Sequence, residues 1–140
     1  MKINFEITTP EKIAHKDQID SVTVPTKMGQ ITILPNHIPL VSSLVAGELI
    51  VRKDGQETPL AVSGGFVNVQ PNNRVVILAD TAEKVEEIDE ELAERARQRA
   101  AELLKTRRED AEDYAVILGE LNKEMARLKL LRKYRRLKTK

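Results

Sequence analysis

The side chains that most often carry chemistry are sparse in this chain. Cysteine is absent, which removes disulfides, thiolate metal sites and thiol nucleophiles together. Neither histidine, His15 or His37, has an acid or a second histidine at the spacing of a metal-binding motif, so a loop or structural role is the default for both. No serine sits in a nucleophile-elbow pattern. Ser63-Gly64-Gly65 has the small residues of a phosphate-cradling loop, but it lacks the Lys-Ser/Thr ending, and a strand pattern rather than a helix follows it. Glycines placed so mark a bulge or a tight bend. These residues predict no bond-making chemistry and no metal.

One region does have a chemical character. Arg127, Lys129, Arg132, Lys133, Arg135, Arg136, Lys138 and Lys140 follow one another with no acid among them, interleaved with Leu128, Leu130, Leu131 and Leu137. Cations on an apolar stem suit an acidic and apolar surface. Nucleic acid is one such surface, but Tyr134 is the only aromatic there, so no stacking platform forms. An anionic membrane is another, and a solvated charged face is the plainest reading. Missing acids and interleaved leucines favour a protein partner.

Bulk properties agree. The chain has 140 residues, 41% of them apolar, enough for one real core plus an appendage. Net charge is +1, so no global field draws it to nucleic acid or membrane. That total hides an asymmetry: residues 1–86 hold 8 basic and 10 acidic side chains, and residues 87–140 hold 15 and 12. No apolar run reaches the ~18 residues of a membrane span and no signal-peptide pattern opens the chain. The expectation is a soluble, cytoplasmic protein with no direct membrane insertion.

Two grammars divide the chain into residues 1–86 and 87–140. All 6 prolines precede position 72, and of the 6 glycines only Gly119 follows position 65. The first part alternates with period two: Ile3/Phe5/Ile7, Val22/Val24, Ile31/Ile33, Leu49/Val51, Val67/Val69 and Val75/Ile77. Asp54-Gly55 favours a type I′ hairpin turn and Pro71-Asn72-Asn73 another tight turn. Short strands at this spacing predict an antiparallel sandwich or barrel ending near Ala79.

The second part has helical period. Ile88, Leu92, Ala96, Ala100 and Leu103 mark one face of a first helix; Tyr114, Leu118, Leu121, Met125 and Leu128 mark a second. Asp89 suits an N-cap, and the polar stretch around Glu109 makes the helices antiparallel neighbours. A first helix of about 17 residues and a second of about 26 span roughly 26 Å and 39 Å. The excess predicts an overhang beyond Arg127 with no partner in the first helix. Gly119 is expected to pack closely on an alanine of that helix, or else to permit bending.

At this point the ordered segments resemble a known family. They are Phe5-Glu6-Ile7-Thr8-Thr9-Pro10-Glu11-Lys12, Gly29-Gln30-Ile31-Thr32-Ile33-Leu34-Pro35-Asn36-His37-Ile38-Pro39-Leu40, Val62-Ser63-Gly64-Gly65-Phe66-Val67 and Ile77-Leu78-Ala79-Asp80-Thr81-Ala82-Glu83. Glu87-Ile88-Asp89 and a two-helix tail follow. The chain resembles the epsilon subunit of bacterial F-type ATP synthase over essentially its whole length. The resemblance implies a ten-stranded antiparallel β-sandwich followed by a C-terminal antiparallel two-helix hairpin. It implies a non-catalytic rotor subunit at the cytoplasmic face of the bacterial membrane, docked through the sandwich on the gamma subunit and the c-ring. It also implies a hairpin with two arrangements, folded on the sandwich or extended. In the extended one, Arg127, Lys129, Arg132, Lys133, Arg135 and Arg136 meet an acidic segment of the beta subunit and restrain ATP hydrolysis.

Some members of that family bind ATP on the folded hairpin through an Ile/Leu-Asp-x-x-Arg-Ala motif. The matching stretch is Ile88-Asp89-Glu90-Glu91-Leu92-Ala93, with Glu83 and Arg99 as further pieces and Arg95 one turn later. Leu92 stands in the place of the arginine; it neither neutralises nor hydrogen-bonds a phosphate, and Glu90 and Glu91 repel one. The leading expectation is therefore a brake with no required cofactor, and the competing one is an ATP-sensing subunit.

Overall fold

The computed structural model describes residues 1–138, with side chains placed as far as Arg135. Eight strands come first: β1 (Ile3–Thr8), β2 (Ile13–Ile19), β3 (Ser21–Thr26), β4 (Gly29–Ile33), β5 (Leu40–Ser43), β6 (Gly47–Lys53), β7 (Gln56–Gln70) and β8 (Arg74–Lys84). A 3₁₀ turn, Val85–Glu87, leads to helices α1 (Glu90–Thr106) and α2 (Tyr114–Lys138).

The expected ten strands are eight because two of them are long. β7 has 15 residues and β8 has 11. The first half of β7 pairs with β6, and its second half pairs with β5. The change of partner falls at Ser63-Gly64-Gly65, where both glycines have positive φ (57° and 109°). A Cβ on Gly65 would lie 1.8 Å from the Leu78 carbonyl oxygen. Only glycine therefore allows the two long strands to stay paired around this bend. One layer holds β2, β1, the first half of β8, the second half of β7, and β5; the other holds the remaining halves with β6, β3 and β4. The sheet is not wholly antiparallel either, since β1 runs parallel to β8 from Asn4↔Arg74 to Thr8↔Leu78.

The alternating residues do what their spacing predicts. Ile3, Phe5, Ile7, Val22, Val24, Leu49, Val67, Val69, Val75 and Ile77 are buried in one cluster between the layers. Each such side chain contributes about 1.5–3 kcal/mol by leaving water. Asp54 and Gly55 take positive φ, as do Asn72 and Asn73, so both predicted tight turns form. The sheet runs beyond Ala79 to Lys84 because the second half of β8 pairs with the first half of β7.

In the helices the predicted faces are buried in part: Ile88, Ala100 and Leu128 are buried, and Leu103 and Leu118 are exposed. Asp89 caps α1, its side chain accepting from the Leu92 amide at 3.2 Å. Ala93 and Ala100 are buried, but Leu92 is 57% exposed and Met125 51%. On α2 the buried positions are Glu124, Leu128 and Leu130. The physical reason is that α2 serves two partners: it packs on α1 and also on β6 and β7. A second small core joins Leu130 to Ala61 and Ile88, with Val85, Leu131 and Tyr134 against them. The hairpin is thus folded down on the sandwich.

The expected overhang also changes ends. Arg132 reaches Glu94 and Arg135 reaches Glu90, so α2 runs antiparallel to α1 and its basic end lies level with the start of α1. Residues 107–113 form the connection, closed by Arg107 and Asp113 at 3.4 Å. That connection is longer than a tight turn, so α2 starts late and its first turn, from Tyr114 to Leu118, stands beyond α1. Gly119 packs on nothing: no atom outside its own helix lies within 4 Å of where its Cβ would be.

Candidate functional site

Of the basic residues singled out in the sequence, those from Arg127 to Lys138 lie on α2 and Lys140 lies outside the described residues; the fold gives Arg127, Arg132, Lys133 and Arg135 an acid. Arg127 donates from Nη2 to Glu83 Oε2 on β8 at 2.9 Å, and from Nη1 to both oxygens of Glu124 at 2.9 Å. The side chains are 17% exposed for Arg127, 23% for Glu83 and 2% for Glu124. Lys133 donates to Glu48 on β6 at 2.8 Å and lies 5.3 Å from the Tyr134 ring centroid. Arg132 meets Glu94 at 3.4 Å, and Arg135 meets Glu90. Lys129 is exposed and has no ion pair among the described residues. The side chain of Arg136 lies outside the described residues.

Electrostatics follow from these contacts. The Arg135 guanidinium holds the Glu90 carboxyl below the usual range, and Arg97 does the same for Glu94. Burial pushes the Tyr134 phenol up, helped by the negative charge of the Glu48 carboxylate. Arg127, deepest of the cations, keeps one buried donor, Nε, without a partner.

Most of the residues suggested for nucleotide already have partners within the fold. Glu83 is engaged by Arg127, Asp89 by the α1 cap, Ile88 by the second core, and Ala93 is fully buried. Arg99 is exposed without an ion pair among the described residues, and Arg95 pairs with Glu91 at 3.5 Å. An open cleft of about 540 Å³ lies elsewhere, between the bend at Gly64 and the first turns of α2 near Val116 and Gly119. Among the described residues no three metal-ligating side chains converge. His15 stacks obliquely on Phe5 at 6.0 Å between ring centroids, and burial lowers its pKa. His37 uses Nδ1 on the Ile38 carbonyl in its loop.

Glu124 was missed in the sequence. It lies on the stripe of Leu121 and Leu128 at helical spacing, and an acid on an apolar stripe is the signal that would have found it. Glu48, a strand acid, carries no such signal.

A continuous sandwich with a folded-down helix pair is a specific architecture, and comparison with known proteins places it. The family model for the ATP synthase delta/epsilon chain β-sandwich domain matches residues 2–85. The ATP synthase epsilon chain of Chloroflexus aggregans is 46% identical over 130 residues, covering 93% of this chain and 92% of that one. The chain belongs to the ATP synthase epsilon chain family. The epsilon chain of Bacillus subtilis is 46% identical over 110 residues, 79% of this chain and 83% of its own. Among solved structures, a chain of the Euglena gracilis mitochondrial ATP synthase (OSCP/F1/c-ring, rotational state 1) superposes with a TM-score of 0.71 at 26% identity. The match covers 88% of this chain and 76% of that one. The family model ends where the sandwich ends, so the helices rest on the full-length relatives.

Proposed function

We propose that this epsilon chain is a non-catalytic central-stalk subunit of a bacterial F-type ATP synthase. It couples ion flow to ATP synthesis through the sandwich and restrains ATP hydrolysis through α1 and α2. The observation that carries the reading is family membership over nearly the whole chain, joined to an α2 on which Arg127, Arg132, Lys133 and Arg135 are held by internal acids. Cations already matched to carboxylates can exchange them for those of another acidic surface, here an acidic segment of the beta subunit.

An apolar patch supports docking of the sandwich on gamma and the c-ring. Phe66 and Leu78 are cross-strand partners, and Val41 lies on the same face of β5. They are 53%, 52% and 66% exposed, and Ile38 in the adjoining loop is 76% exposed. Isolated exposed apolar residues are ordinary, but a contiguous group marks a contact surface. Among the described residues no helix is long and apolar enough to cross a membrane, which fits peripheral attachment at its cytoplasmic face through partners.

Ending the chain before Glu87 tests the division of labour. The shortened subunit is expected to assemble and to raise ATP hydrolysis by the reconstituted complex; unchanged hydrolysis would remove the restraining role. The competing reading, an ATP sensor, is supported only by the motif remnant from Ile88 to Ala93.

A further inference from the structure

Glu124 is the only charged residue among the described ones that is buried, at 1% exposure. A carboxylate so placed is tolerated only if its charge is met. Lys123 comes no closer than 3.9 Å, so the meeting falls to Arg127, which gives both Glu124 oxygens a 2.9 Å bond. The same guanidinium crosses to Glu83 on β8. The group that neutralises the helix's own buried acid therefore also ties that helix to the sandwich.

We propose that Glu83, Arg127 and Glu124 form a ligand-independent pin that holds α2 on the sandwich, and that parting Arg127 from Glu83 is the step that commits the helices to leave. The inference rests on the reading above that the hairpin has two arrangements. When α2 leaves, Arg127 and Glu124 enter water together as an exposed pair three residues apart, and neither pays a desolvation cost. When α2 is down without Arg127, Glu124 is buried and unmatched. Removing the cation thus penalises only the docked state. Replacing both by apolar residues lifts the Glu124 penalty, because a buried ion pair exchanged for well-packed apolar side chains is commonly neutral or stabilising, and leaves only the lost bond to the 23% exposed Glu83. The pairs at the rim keep their cations in water, Lys133 at 50% exposure among them, and contribute less.

The absence of cysteine makes the test direct. Cysteines at Met28 and Val116, 88% and 73% exposed, take a dye pair that reports the distance between sandwich and α2 in the isolated full chain. Arg127→Ala is expected to raise the ratio of open to docked molecules roughly tenfold or more. Glu124→Leu combined with Arg127→Met is expected to open less than Arg127→Ala, the lost Glu83 bond being the remainder. The pin is wrong if Arg127→Ala leaves the ratio unchanged, or if the paired apolar variant opens as far as Arg127→Ala. Amide exchange in β1–β8 monitors folding. Should Arg127→Ala lose that protection, Glu83→Gln carries the test, with a smaller rise expected and no rise overturning the pin. The assay contains no ATP synthase, so its outcome is separable from that of the hydrolysis measurements.

Discussion

Arg135, near the end of α2, is ion-paired with Glu90, the first residue of α1. With Arg132–Glu94 beside it, this pair sets the register of the two helices. Thr106 then stands level with Gly119 or Glu120, and the free end of α2 is its beginning. Arg127, Arg132, Lys133 and Arg135 are consequently held by acids of the same molecule while the helices are docked.

That arrangement predicts a response to acid. The folded-state pKa values of Glu90 and Glu94 lie below their ordinary value, so their contribution is fully present above about pH 4.5 and is lost as pH falls through the depressed values. Asp17 and Asp20 are lowered in the same way, by Lys53 and Lys2, and the sandwich loosens over the same window. Distance measurements between labels at positions 28 and 116 should show opening between about pH 5 and 3 and no change from pH 6 to 8. Added salt at neutral pH should act in the same direction, because these pairs are exposed. Indifference to both would remove electrostatics as what holds this end down.

Two glycines should answer oppositely to alanine. At Gly65, φ is 109° and the new Cβ would meet the Leu78 carbonyl, so Gly65→Ala should cost at least about 1–3 kcal/mol in urea unfolding. At Gly119, in the interior of α2 with open space around it, Gly119→Ala should stabilise the helix by about 0.5–1 kcal/mol. A destabilised Gly119→Ala chain would mean that α2 needs this glycine for bending.

These contrasts show what the sequence could and could not specify. Alternation at Phe5, Val67 and Ile77 carries its own direction, because a strand has two faces and one must be wet. Asp54-Gly55 and Asp89 act within a few residues of themselves, and both were legible. The strand count was not: whether β7 is one strand or two depends on how β5 and β6 share it. Helix phase was legible only in part. α2 is apolar on more than one side, and Leu130 facing Ala61 is decided by the sandwich beneath it. Glu48 became a partner of Lys133 only through a contact 85 residues distant in sequence.

Nucleotide should not be needed to dock the helices. Glu83, Asp89 and Ala93 already have structural tasks, and Leu92 is exposed where an arginine would be required. Calorimetry of the isolated chain with ATP, with and without magnesium, is expected to show no heat at millimolar ligand. Measurable binding would revive the sensor, and Leu92→Arg would then be expected to tighten it.

The basic end gives the decisive measurement on the brake. Arg132, Lys133 and Arg135 are half-exposed cations paired with Glu94, Glu48 and Glu90, and pairs whose cation stays in water add little to folding. Changing these three and Arg136 to glutamine should therefore leave the sandwich, the Arg127 pin and assembly intact. It should weaken any contact with an acidic partner, most of all at low ionic strength where such attraction is least screened. Hydrolysis by the reconstituted complex is expected to rise toward that of the complex carrying the shortened subunit. The internal acids give the control: Glu48→Gln with Glu90→Gln frees the same cations without removing them and should lower hydrolysis. If the glutamine variant still restrains hydrolysis fully at low salt, charge on α2 is not what the partner reads, and the leucines interleaved with it become the contact to examine.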